Sequence, residues 1–238
     1  MRRGENSIEI LMKCVLAGMG FVFVCATSPR LNAEVIADPH RFDNAIAAFE
    51  EADRQAKPET GQVLFLGSSS IRRWDTAAAF KGIDSLNRGF GGSQISDVIF
   101  FFDRVVLPYA PSVIVFYAGD NDINAGKGVR EVFADFKTFA GLVRKKLKGT
   151  KILYIPIKPS IRREKLWSEM AVVNKRIQTL SEKQGNLYYA DIAAPMLATG
   201  MPPSSDLFAS DGLHLSDKGN AMWAEIIRPV LEQALRDS

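Results

Sequence analysis

The sequence predicts an α/β protein, a three-layer α/β/α sandwich on a flavodoxin-like, five-stranded parallel sheet of order 2-1-3-4-5. Short apolar runs alternate with longer stretches of helical periodicity along most of the 238 residues. The central runs, such as "QVLFLG" and "SVIVFYAG", are apolar at every position rather than every second one, the pattern of strands covered on both faces. Five such strands with helices between them suit a doubly wound sheet in which strand 1 lies between strands 2 and 3.

The elements follow in order. "DPHRFDNAIAAFEEADRQ" reads as a helix: Asp38 can cap it, Pro39 suits its first turn, and Phe42, Ala45, Ile46, Phe49 and Ala52 share one face. "QVLFLG" is strand 1, and "SLNRGFGG" is strand 2, ending in glycines. "SDVIFFFDRVV" reads as a helix carrying an unusual run of phenylalanine. "SVIVFYAG" is strand 3. "VREVFADFKTFAGLVRKKLK" is an amphipathic helix with Val132, Phe136, Phe139 and Val143 along one face. "KILYIPI" is strand 4, "LWSEMAVVNKRIQTLSEKQG" a helix closed by Gly185, "NLYYAD" strand 5, and "SDKGNAMWAEIIRPVLEQAL" the last helix.

Composition is that of an ordinary globular chain, 47% hydrophobic and 24% charged. The net charge is +3 with no long run of like sign, so nothing points to nucleic acid. The one long apolar run is N-terminal. Arg2, Arg3 and Lys13 precede 13 uncharged residues, Cys14 to Ala26. That is short of the about 20 apolar residues of a spanning helix. A basic flank, an apolar centre and small residues at the exit fit a signal peptide of residues 1–26, or to 33, ahead of one domain over 34–238. The protein is therefore expected to be exported, periplasmic or secreted, without a stable membrane span in its mature form; an uncleaved signal anchor is the alternative. Both cysteines, Cys14 and Cys25, fall in the leader, so the mature chain has no disulfide and no cysteine nucleophile.

Three loops rich in glycine and small polar residues leave the carboxyl ends of strands 1, 2 and 3: "GSSS", "GFGG" and "AGDND". In this order they converge where the winding reverses, the usual place for a ligand. A serine there needs a base, and the chain has only two histidines, His40 and His214. His40 sits in the first turn of the first helix. His214 lies in "ASDGLHLS", after strand 5 at the same sheet edge, with Asp211 three residues before it to orient an imidazole. Gly92 can offer an unhindered N–H to an oxyanion and Asn121 its side-chain amide.

The four blocks "FLGSSSI", "NRGFGG", "YAGDND" and "DGLH" resemble, in order, those of the SGNH/GDSL hydrolase superfamily, over Phe65 to His214. The resemblance implies the three-layer fold reached above and an esterase, lipase, thioesterase or carbohydrate acetylesterase. It implies Ser69 as nucleophile, Asp211 and His214 as its partners, and Ser69, Gly92 and Asn121 as the oxyanion hole. Ser68 stands where the family has aspartate. Ile71 stands where a Gly-x-Ser-x-Gly elbow has its second glycine, which argues against a standard α/β-hydrolase.

The expectation is a serine ester hydrolase that removes a short acyl group, chiefly acetyl, from a glycan or small ester, with no cofactor and no metal. A lysophospholipid or thioester substrate is the alternative. Arg162, Arg163 and Trp167, after strand 4, are candidate substrate contacts. Two rivals remain: a metal-dependent phosphoesterase using Asp120, Asp122 and Asp211, and a binding protein that keeps the fold without the chemistry.

Overall fold

The structure is a computed structural model that describes residues 38–237. The leader reading concerns residues outside this range. Five strands form one parallel sheet: β1 (Val63–Gly67), β2 (Ser85–Gly89), β3 (Val113–Tyr117), β4 (Lys151–Tyr154) and β5 (Leu187–Tyr189), in the order β2-β1-β3-β4-β5. This is the expected topology. The helices are α1 (Asp43–Gln55), α2 (Ser69–Arg72), α3 (Thr76–Ala79), α4 (Ile95–Phe100), α5 (Phe102–Val105), α6 (Asp120–Asn124), α7 (Val129–Lys146), α8 (Trp167–Ser181), α9 (Ala193–Met196) and α10 (Asp217–Arg236). Among the described residues no helix is long and apolar enough to cross a membrane.

The alternation of side chains along each strand sorts the core into two layers. Leu64, Leu66, Ile114, Phe116, Ile152 and Tyr154 point to one face, where α1, α4, α5, α7 and α8 cover them with Ile46, Val98, Val105, Phe136 and Val173. Val63, Phe65, Val113, Val115 and Leu153 point to the other, under α2, α9 and α10 with Ile71, Met196, Trp223, Ile227 and Leu231. Burial on both sides of the sheet explains why β1 and β3 carry no polar alternation, whereas the edge strand β2 keeps Ser85, Asn87 and Arg88.

Local sequence sets the element ends. Asp38 accepts from the His40 N–H and opens a 3-10 turn over Pro39–Phe42, which continues into α1. Ser216 accepts from the Gly219 N–H at the start of α10. The phenylalanine run does not make one helix, as the sequence suggested, but two, α4 and α5, broken at Phe101. Three consecutive side chains cannot share one buried helix face. The break buries both Phe101 and Phe102 and leaves Phe100 outside. The strand at "KILYIPI" ends at Tyr154 rather than Ile157, although Ile155 and Ile157 stay buried.

The turn out of β1 is the tightest point of the sheet. Gly67 has φ +139°, and a Cβ on it would lie 1.9 Å from the Tyr117 carbonyl oxygen of β3. Both the conformation and the space exclude a side chain. Gly67→Ala is therefore expected to cost about 3 kcal/mol or more, a fall in Tm of about 10 °C for a domain of this size. Thermal unfolding of the variant measures it, and an unchanged Tm would mean that β3 yields at no cost.

Candidate active site

Beyond Gly67 the chain turns at once into α2. Ser68 N–H donates to Tyr117 O at 3.1 Å, and Ser69 opens the helix. The next strand holds this helix down. Asn87 of β2 donates from Nδ2 to the carbonyls of Ile71 at 2.8 Å and Trp74 at 3.2 Å, while its Oδ1 accepts from Gly89 N–H. A Cβ on Gly89 would sit 2.4 Å from Arg72 N, so α2 rests directly on β2.

The three serines are thereby distinguished. Ser68 is 1% exposed and Ser70 7% exposed. The Ser70 hydroxyl meets the ammonium of Lys158 at 3.1 Å. Ser69 is half-buried and faces the last loop, its Oγ 2.8 Å from His214 Nε2. His214 Nδ1 is 2.5 Å from Asp211 Oδ2, and Asp211 Oδ1 accepts from the backbone N–H groups of Leu213 and His214, each at 2.9 Å. That loop is braced at both ends: Ala209 N–H donates to His214 O, Phe208 bridges Leu215, and Arg162 N–H donates to Gly212 O at 3.0 Å. Burial works against the charge on Asp211, but the imidazole and the two N–H groups outweigh it and hold its carboxyl well below the usual range. Asp211 therefore stays anionic and can offset a positive imidazole.

Among the described residues the Ser69 and Gly92 backbone N–H groups donate no hydrogen bond. Asn121, in the first turn of α6, donates from Nδ2 to Ser93 O at 3.0 Å, which ties it to the residue after Gly92. His40 lies outside this group. It is exposed in the first turn and pairs with Asp43 at 2.9 Å.

Of the three residues considered for substrate contact, Arg162 is exposed and Trp167 packs half-buried against both core layers. Arg163 is turned inward: Nη2 donates to Asn121 Oδ1 at 3.0 Å, and Nη1 lies 3.1 Å from Asp120 Oδ2. Asp120 also accepts from Tyr117 OH at 3.2 Å and sits 3.5 Å from Lys158 Nζ. Lys158, 1% exposed, donates to Tyr117 OH at 2.9 Å. The sequence reading did not single out Tyr117, Ser93 or Lys158. The one signal for Lys158 was a lysine directly after the apolar run "ILYIPI".

The carboxylates of the phosphoesterase rival do not form a set. Asp120 serves Arg163 and Lys158, Asp211 serves His214, and Asp122 accepts from Ile95 N–H at 3.0 Å. Among the described residues no group of three or more His, Cys, Asp or Glu is placed to hold a metal ion.

A serine hydroxyl, an imidazole and a carboxylate joined in one line at the carboxyl edge of a parallel sheet form the arrangement of hydrolases that work through an activated serine. The model of the GDSL-like Lipase/Acylhydrolase family matches residues 65–222, and the chain belongs to that family. Solved structures share the fold. A GDSL-like lipase from Bacteroides thetaiotaomicron aligns at TM-score 0.66 and 20% identity, covering 83% of this chain and 98% of its own. A carbohydrate esterase family 3 protein from Talaromyces cellulolyticus aligns at 0.61 and 20%, covering 75% and 100%. A variant of an acetyl-xylooligosaccharide esterase from Geobacillus Stearmophilus aligns at 0.61 and 15%, covering 73% and 95%. No curated protein matches the chain.

Asp122 has a different environment from Asp211. It is fully enclosed, with one backbone donor and Lys127 at 3.7 Å, and burial pushes its carboxyl up to about 7 despite both. Between the unfolded value near 3.8 and about 7, the folded chain holds a proton that the unfolded chain has lost. Stability contributed by this group therefore falls as pH rises through that window. Asp122→Asn keeps an acceptor for Ile95 N–H and removes the titration. The Tm of the variant minus that of the parent is expected to grow from pH 4 to pH 7 and level off above, as melting curves across that range would show. A constant difference would mean that Asp122 is ionised throughout.

Proposed function

We propose that the protein is a serine ester hydrolase of short acyl groups. The observation that carries this reading is the continuous line from Ser69 Oγ through His214 to Asp211. Ser69 Oγ attacks the ester carbonyl carbon as His214 Nε2 takes its proton. The carbonyl oxygen becomes an oxyanion facing the Ser69 and Gly92 N–H groups and the Asn121 amide. Collapse of that intermediate breaks the bond to the alcohol oxygen, which leaves with the proton from His214. Water, deprotonated by the same imidazole, then attacks the acyl-enzyme and restores Ser69. Asp211 orients the ring and offsets its charge in both halves.

The substrate we favour is an acetyl ester on a carbohydrate or small alcohol. The carbohydrate and acetyl-xylooligosaccharide esterases that share the fold support this choice. So does the rim of the site. Arg72, whose guanidinium lies over Gly91, is exposed, as are Arg73 and Arg162, a polar border suited to hydroxyl and carbonyl groups. We place the reaction outside the cytoplasm, on the leader reading of residues 1–26.

Two measurements test these claims. Ser69→Ala is expected to abolish both ester hydrolysis and covalent labelling by a fluorophosphonate, whereas Ser68→Ala and Ser70→Ala keep activity within about tenfold of the parent. Labelling that survives in Ser69→Ala and is lost in Ser68→Ala would move the nucleophile by one residue. Across p-nitrophenyl acetate, butyrate and octanoate, kcat/KM is expected to fall with chain length, and acetylated sugars to release acetate. A maximum at octanoate would instead favour a lipid ester.

A further inference from the structure

We propose that Arg163 is a positioning residue that fixes which end of the Asn121 amide faces the reacting carbonyl. The inference rests on the oxyanion role proposed for Asn121. A primary amide has nearly the same shape in its two flipped orientations, so packing alone does not choose between them. Here its two ends meet groups of opposite kind. Oδ1 accepts from Arg163 Nη2 at 3.0 Å, and Nδ2 donates to Ser93 O at 3.0 Å. Turning the amide over would set NH₂ against a guanidinium that only donates and oxygen against a carbonyl that only accepts. Nδ2 carries two hydrogens, and Ser93 engages one. The second is left for the oxyanion.

Arginine suits this task because its guanidinium carries only donors and no acceptor. Its second terminal nitrogen is turned toward an anion without a hydrogen bond of its own. Nη1 is 3.1 Å from Asp120 Oδ2, with the two side chains only 10% and 6% exposed. Asp120 is held in turn by Tyr117 OH and approached by Lys158, two groups carried by β3 and by the segment after β4. Burial disfavours the Asp120 charge, but Lys158 and Arg163 outweigh it and keep the carboxylate ionised. The guanidinium is thus attracted from behind by an anion, and its Nη2 donates to Asn121. A direct substrate contact fits less well, because Nη2 is taken by Asn121 and Nη1 is buried against Asp120.

The test is a double-mutant cycle on the full chain with p-nitrophenyl acetate, reading kcat, KM and Tm for the parent, Arg163→Lys, Asn121→Ala and the double variant. Arg163→Lys keeps a cation for Asp120 but loses the fork. It is expected to lower kcat about tenfold or more with KM within about twofold, as for an interaction that acts only in the transition state. In the Asn121→Ala background, itself slowed about a hundredfold, the same change is expected to alter kcat by less than about twofold. Arg163→Met, which keeps the stem and donates nothing, is run beside it in case lysine takes over the bond. A full-sized loss of kcat on top of Asn121→Ala, a loss confined to KM, or normal kcat in both Arg163 variants would overturn the proposal and leave the oxyanion reading standing. Normal kcat in folded Asn121→Ala would overturn both.

Discussion

The close approach of Gly67 Cα to the Tyr117 carbonyl is the constraint from which the site is built. Because nothing projects there, β1 and β3 keep their register to the last residue. The chain then turns so that Ser68 N–H takes Tyr117 O and Phe90 N–H takes Gly67 O. Three strand ends are thereby pinned at one level. Ser69, Gly92 and Asn121 each follow one of those ends by a few residues, so little chain is free to let them drift apart. A second bare position, Gly89, brings α2 down on β2 and fixes the direction in which Ser69 leaves. Positioning of this kind belongs to the backbone, and for that reason the site can rest on loops that are otherwise short and polar.

Charge at this edge is set by burial weighed against the donors and cations that each carboxylate meets. Asp211 is partly exposed and receives three N–H groups, and its carboxyl lies low. Asp122 is enclosed, receives one backbone N–H and has Lys127 only at a distance, and its carboxyl lies high. The same side chain is therefore a standing anion beside His214 and, two residues from Asp120, a strut that fastens α4 to α6 through Ile95. Treating all three aspartates as equivalent metal ligands overlooks this difference.

Much of the fold was legible because its signals are local. Fully apolar strands and amphipathic helices report burial on two faces directly, and five strands alternating with helices suit the flavodoxin-like order that the sheet has. The blocks around Ser69, Gly92, Asn121 and His214 were legible as groups of residue types at strand ends. What the sequence did not disclose depended on packing between distant segments. The break at Phe101 follows from the space available to two neighbouring rings, which periodicity cannot register. The inward turn of Arg163 depends on Asp120, 43 positions earlier, and on Asn121, 42 positions earlier. From the string "IKPSIRREKLW" alone, that arginine reads as a candidate substrate contact.

The buried charges behind the site raise the question of why this region is not simply apolar. Lys158, Asp120 and Arg163 are removed from water at a cost that their mutual attraction only partly offsets, and well-packed hydrophobic replacements for such clusters are often as stable or more so. Stability alone therefore gives no reason for the network. Apolar contacts, however, are non-directional. They can fill the space around an amide, but they cannot distinguish its oxygen from its nitrogen or hold one N–H along a chosen line. A guanidinium and a carbonyl on opposite sides of Asn121 can do both, provided the guanidinium is itself held, and an enclosed Asp120 with Tyr117 and Lys158 behind it does that. If Asn121 serves the oxyanion as proposed, the polar interior supplies what an apolar one would not, a fixed direction for the amide in front of it.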